Sequence, residues 1–136
     1  MLKQKESDQH RRIKLSLAND FRKKDWKVRC IDDEGEQTIV IENKNGVGDR
    51  ENKRPDIDAK DISAGRIIRG EVKVNNGDFE SEHSITQYKL FSDLNLNGVR
   101  SWLILGVPQN TKGLIGRVLD RELNNICRAN VFIWEY

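Results

Sequence analysis

The sequence predicts a single α/β domain, residues 1–136, in which helices cover both faces of a mixed central sheet. Three observations carry this expectation. "SWLILGV" (101–107) is a continuous apolar run, as a central strand covered on both faces requires. Residues 54–60 and 67–74 alternate apolar and polar side chains around a glycine-bearing turn, which is the pattern of a hairpin. Ile13, Leu17 and Phe21 recur every four residues with Ala18 beside them, giving a helix one buried stripe.

The first helix is expected from Ser7 to Lys24. Ser7 is its N-cap, Asp8 suits the positive start, and Lys23 and Lys24 suit the negative end. Continued backwards, its stripe reaches His10 and then Glu6, which should point to the sheet side. "WKVRCI" (26–31) and "QTIVIE" (37–42) read as strands joined through Gly35, and 43–53 as a mobile polar loop. After the hairpin, "SEHSITQYKLFSDL" reads as a helix opened by a capping box of Ser84 and Gln87. Ile85, Tyr88 and Phe91 form its inner face, and it should end at Gly98. Pro108 stops the central strand. Thr111 then caps a third helix bearing Leu114, Val118, Leu119 and Leu123, and "NVFIWEY" makes a last strand.

At 136 residues the chain is long enough to bury a real core. No apolar stretch approaches the roughly 18–20 residues that span a bilayer, and "MLKQKESDQHRR" lacks the apolar region of a secretory signal. A cytoplasmic location without membrane association is therefore the expectation. Cys30 and Cys127 form no CxxC pair; two buried free thiols or one disulfide both fit. The net charge is +2, unevenly spread. Residues 1–29 carry ten Lys or Arg against four acids, whereas residues 30–59 carry nine acids against four bases. Such a split suits a phosphate-binding face beside a metal site, and equally the solvated face of a helix.

The hairpin carries the chemistry. Side chains on a strand alternate between faces, so Asp56, Asp58 and Lys60 share one face of 54–60. Ile67, Arg69, Glu71 and Lys73 share the matching face of 67–74. With the turn centred between Ser63 and Ala64, Asp58 faces Arg69 and Asp56 faces Glu71. The first pair attracts; the second sets carboxylate against carboxylate, which a sheet disfavours. A divalent cation resolves that conflict. Mg²⁺ takes oxygen ligands, keeps waters and meets substrate phosphate oxygens. Lys73 emerges on the same face, where its ammonium can hold an attacking water or neutralise a scissile phosphate.

This pattern, Pro55-Asp56 followed by Glu71-Val72-Lys73, resembles the PD-(D/E)XK, or restriction-endonuclease-like, nuclease superfamily. The helix, three strands, helix and strand of that family's core match most of residues 7–107. The resemblance implies a restriction-endonuclease-like fold and a Mg²⁺-dependent endonuclease, with Mn²⁺ as a substitute, that hydrolyses DNA by direct water attack. Asp56, Glu71 and the Val72 carbonyl would hold the metal, and Lys73 would assist the water. Glu6 on the first helix and Gln87 on the helix after the lysine match further catalytic positions of some members. A structure-specific enzyme of the Holliday-junction-resolvase kind, or a viral or mobile-element nuclease, fits a chain with little room for a sequence-reading domain; its DNA would be nucleoid or viral.

Arg11, Arg12, Lys14, Arg22, Lys23, Lys53, Arg54 and Arg69 are the candidate phosphate contacts. The rival readings are a non-catalytic nucleic-acid-binding module of the same fold and a protein-protein scaffold. Trp26, Trp102 and Trp134 are read as core residues, and His83 as exposed. Two coordinated cuts call for a homodimer, and the apolar faces of "NVFIWEY" offer either an interface or a surface covered by the third helix.

Overall fold

The computed structural model describes residues 6–33, 35–93 and 101–136. Helix α1 (Asp8–Lys23) leads into strand β1 (Lys27–Ile31). A long connection then reaches β2 (Ile57–Asp61) and β3 (Arg66–Val72). Helix α2 (Glu82–Phe91), β4 (Trp102–Val107), α3 (Lys112–Glu122), α4 (Asn125–Arg128) and β5 (Val131–Glu135) follow. The protein is α/β, with a five-stranded mixed sheet in the order β1-β2-β3-β4-β5 among the described residues. β1, β2 and β3 pair antiparallel, whereas β3, β4 and β5 run parallel.

The expected hairpin register is the observed one, with Asp58 opposite Arg69 and Ile57 opposite Gly70. Each face of the sheet has its own core. On one side Ile13, Leu17, Ala18 and Phe21 of α1 pack on Ile57, Ala59, Ile68, Val72 and Ile104. On the other, Tyr88, Leu90 and Phe91 of α2 and Ile115, Val118 and Leu119 of α3 pack on Leu103, Leu105, Val107, Val131 and Ile133. Among the described residues no helix is long and apolar enough to cross a membrane.

Two glycines let α1 lie close to the sheet. A Cβ at Gly106 would stand 3.0 Å from Ile13 Cγ2 and 3.3 Å from Leu17 Cδ2; one at Gly70 would stand 3.2 Å from the Phe21 ring. Gly106→Val is therefore expected to destabilise the protein by about 1–3 kcal/mol, since overpacking a filled core forces shifts. The check is a lower urea midpoint with an unchanged m-value.

Several expectations are corrected. Residues 37–42 form no strand. Ile39 and Val40 are exposed, Ile41 makes a single bridge to Lys53, and the buried Thr38 hydroxyl donates to the Pro55 carbonyl. Tertiary hydrogen bonds, rather than a ladder, organise this segment. The loop that follows is also tied down rather than loose. The Asn43 amide donates to the Val47 and Glu51 carbonyls, and its oxygen accepts from Val47 N–H.

Helix α2 is capped by Ser81, whose hydroxyl accepts from Ser84 N–H, so the Ser84–Gln87 capping box is not formed. It ends at Phe91; the expected end at Gly98 lies outside the described residues. Thr111 precedes α3 without capping it by its side chain. The Glu135 carboxylate instead accepts from the Thr111 and Lys112 N–H groups, at 3.0 and 3.1 Å. Leu114 is exposed, and Ile115 takes its place in the stripe.

Both faces of strand β5 are covered within the chain, one fully and the other in part. Val131 and Ile133 face α3, while Phe132, Trp134 and Tyr136 pack on the α1 side. Tyr136 donates to Asp20 at 2.6 Å. The apolar alternation is thus accounted for within the chain, and it identifies no dimer surface.

Both cysteines are free thiols. Burial, then the Glu36 carboxylate, raises the Cys30 pKa to about 11. At pH 8 about one part in a thousand is thiolate, the reactive form. Alkylation of Cys30 should accordingly be slow at pH 8 and accelerate about tenfold per pH unit up to about 11. A rate that levels off below pH 9 would contradict this placement.

Candidate active site

The site is assembled where β2 begins and β3 ends, two chain segments that the antiparallel register brings side by side. Asp56 and Glu71 meet there as the register requires, and the backbone divides their contacts. Val72 N–H donates to Asp56 Oδ2 at 2.8 Å, and Asp56 N–H donates to Glu71 Oε1 at 3.1 Å. The Gln87 amide, from α2, donates to Glu71 Oε2 at 3.0 Å, while its oxygen accepts from Lys73 Nζ. Lys73 Nζ also lies 3.7 Å from Glu71 Oε2 and 3.6 Å from Asp78 Oδ2. Glu71, Lys73 and Gln87 are buried, whereas Asp56 keeps 15% of its side chain exposed.

From the other side of the sheet edge, α1 supplies a second chain of contacts. His10 Nε2 stands 3.3 Å from Asp56 Oδ2, and His10 Nδ1 is 2.5 Å from Glu6 Oε2. Glu6 also accepts from Lys14 Nζ at 2.7 Å. Glu6 therefore reaches Asp56 through His10, although it precedes the Ser7 cap.

The electrostatics divide the two carboxyls. Burial and the neighbouring Asp56 charge push the Glu71 carboxyl well above the usual carboxylate range, against the pull of Lys73. Burial also opposes ionisation of Asp56, but the hydrogen bond and charge of His10 and the Val72 N–H overcome it, and its pKa falls. For His10, burial favours the neutral ring, and Asp56 and then Glu6 reverse that and raise its pKa. Of the two carboxyls, Glu71 is thus the one that holds a proton more readily and Asp56 the one that ionises more readily. The donor set suits a hard divalent ion, since two adjacent carboxylates supply oxygen ligands and lose their mutual repulsion when a cation joins them.

Three of the eight expected phosphate contacts are buried in other duties. Lys14 binds Glu6 and the Asp32 carbonyl. Arg69 faces Asp58 and donates to the Leu90 carbonyl and Ser101 hydroxyl. Lys53 is surrounded by Asp49 at 2.5 Å, Glu51 at 3.4 Å and His83 at 2.7 Å. Long cationic side chains are buried only with such partners, and Asp32, His83, Leu90 and Ser101 among them are distant in sequence. Arg11, Arg12, Arg22 and Lys23 remain exposed on α1, and Arg54 is half-buried two residues before Asp56.

The Asp49, Glu51 and His83 ligand atoms lie within 4.8 Å of one another, as metal ligands would. The Lys53 ammonium stands within hydrogen-bond reach of all three and already serves as their cation. Neither this cluster nor the part played by Asp78 leaves a signal in the local sequence pattern. The i, i+4, i+8 spacing of Glu6, His10 and Lys14 is a legible signal for the α1 contacts. The three tryptophans form a part-buried aromatic group, with Trp26 and Trp134 stacked at 6.1 Å and Arg66 over Trp102.

Comparison of the chain with protein-family models, with curated proteins and with solved structures gives no match in any of the three.

Proposed function

We propose that this protein is a metal-dependent DNA endonuclease of restriction-endonuclease-like fold, hydrolysing phosphodiester bonds at Asp56, Glu71 and Lys73. The observation that carries the reading is the convergence of two carboxylates and a buried lysine, the lysine and one carboxylate tied to the same glutamine amide. Asp56, Glu71 and the Val72 carbonyl would hold a Mg²⁺ or Mn²⁺ ion, which when bound would supply Lewis-acid polarisation of the phosphate and a lowered pKa for a bound water.

The chain's own groups do the rest. Lys73 offers a fixed positive charge where the phosphate gains negative charge as the water oxygen bonds to phosphorus and the ester oxygen departs. Gln87 holds Lys73 and Glu71 in register, its amide spanning both. His10 and Glu6 steady Asp56 from the α1 side. Arg11, Arg12, Arg22 and Lys23 of α1, with Arg54, are the remaining phosphate contacts. The test is an assay on linear, branched and single-stranded DNA with and without Mg²⁺. Cleavage that requires the metal and stops with EDTA is expected. Cleavage that survives EDTA, or none on any of the three substrates, refutes the reading.

A further inference from the structure

The connection between β1 and β2 does more than join strands. Its Asp49 N–H donates to the Thr86 hydroxyl of α2, one residue before Gln87. Gly48, at φ +57°, lies so close that a Cβ there would be 2.1 Å from Thr86 Oγ1. This seats Lys53, with only 2% of its side chain exposed, against His83 in the first turn of α2. An ammonium only donates, so at 2.7 Å the His83 Nδ1 must present its lone pair. Asp49 Oδ2 is 3.8 Å from the same nitrogen, too long to compete as a hydrogen bond. The ring is therefore neutral, with its one proton on Nε2, and 54% of the side chain faces solvent. Burial, then Lys53 and Lys73, lower the His83 pKa and hold it in that state, against Asp49 and Asp78.

We propose that His83 is a phosphate-binding residue of this site, its Nε2–H donating to a backbone phosphate next to the scissile one. The inference rests on the hydrolase reading above and names a substrate contact for it. Contacts link His83 to Lys73: Lys73 neighbours Asp78, Asp78 accepts from Ser81, the cap of the helix that carries His83, and the Lys73 charge acts on the ring. A strand with one phosphate at Lys73 must run on past it. A donor with its tautomer fixed in advance meets the next phosphate without reorganising.

Nitrogen-15 NMR of the histidine ring tests the first half without any activity. The wild type should carry its proton on Nε2 at neutral pH, and Lys53→Met should free the ring to exchange tautomers. A proton on Nδ1 in the wild type overturns the proposal. Steady-state cleavage tests the second half. His83→Ala is expected to raise KM roughly tenfold, as loss of a hydrogen bond to a charged group implies, with kcat within about twofold. His83→Gln, which keeps an N–H donor, should recover part of the loss. An unchanged KM, or a fall confined to kcat, overturns it. A wild type that cleaves nothing refutes the hydrolase reading instead, while the ring measurement still stands.

Discussion

Asp56→Asn and Lys73→Met proteins are expected to fold and to lose about 10²–10³ or more of the cleavage rate. Asn keeps an oxygen that can accept the Val72 N–H, so the β2–β3 junction should survive. What it removes is the charge of the carboxyl that ionises more readily, and with it much of the attraction for a cation. Lys73→Met keeps the length and apolar stem of a side chain that is buried, and removes only the ammonium. Gln87→Leu should cost less, about 10–100-fold, because Gln87 acts through the two groups it orients. The readout is single-turnover cleavage alongside far-UV circular dichroism. Full activity in either Asp56→Asn or Lys73→Met would remove that residue from the mechanism.

Phe21→Ala is expected to have the largest effect on stability, about 3–5 kcal/mol, a large share of the roughly 5–15 kcal/mol typical of a domain. Phe21 is fully buried on α1 and packs edge-on to Trp26 at 5.3 Å and Trp134 at 5.8 Å. It also fills the space that Gly70 leaves open over β3. Nothing nearby can collapse into the void cheaply, since the sheet on one side and two indoles on the other are already in contact. Thermal unfolding should show a fall of about 10 °C or more. A fall under about 3 °C would mean that α1 is not the main cover of this face.

Periodicity along a single segment made much of the fold legible in the sequence. The α1 stripe, the hairpin register and the central strand are each carried by apolar spacing within one stretch of chain. For the same reason strand alternation, with the turn that sets the hairpin register, puts Asp56, Glu71 and Lys73 on a common face. The rest depends on partners far away in the chain. Lys14, Lys53 and Arg69 read as surface charges in isolation, and only the fold brings Asp32, His83 and Ser101 beside them. The Ser84–Gln87 spacing fits a capping box, but Ser81 lies one turn earlier and takes the cap, leaving Gln87 to bridge Glu71 and Lys73. The β-rich composition of 37–42 makes no strand, because its hydrogen bonds go to Pro55 and Lys53 instead.

The central claim is that the facing carboxylates exist to hold a divalent cation. Calorimetric titration of Mn²⁺ into the wild type and into Glu71→Gln tests it most directly. The wild type should bind one ion, and titration in buffers of different ionisation heat should show proton release, because a carboxyl raised above the usual range must ionise to bind. Glu71→Gln should bind at least about tenfold more weakly and release fewer protons. A wild type that binds no Mn²⁺, or a Glu71→Gln protein that binds it equally well, would contradict the account.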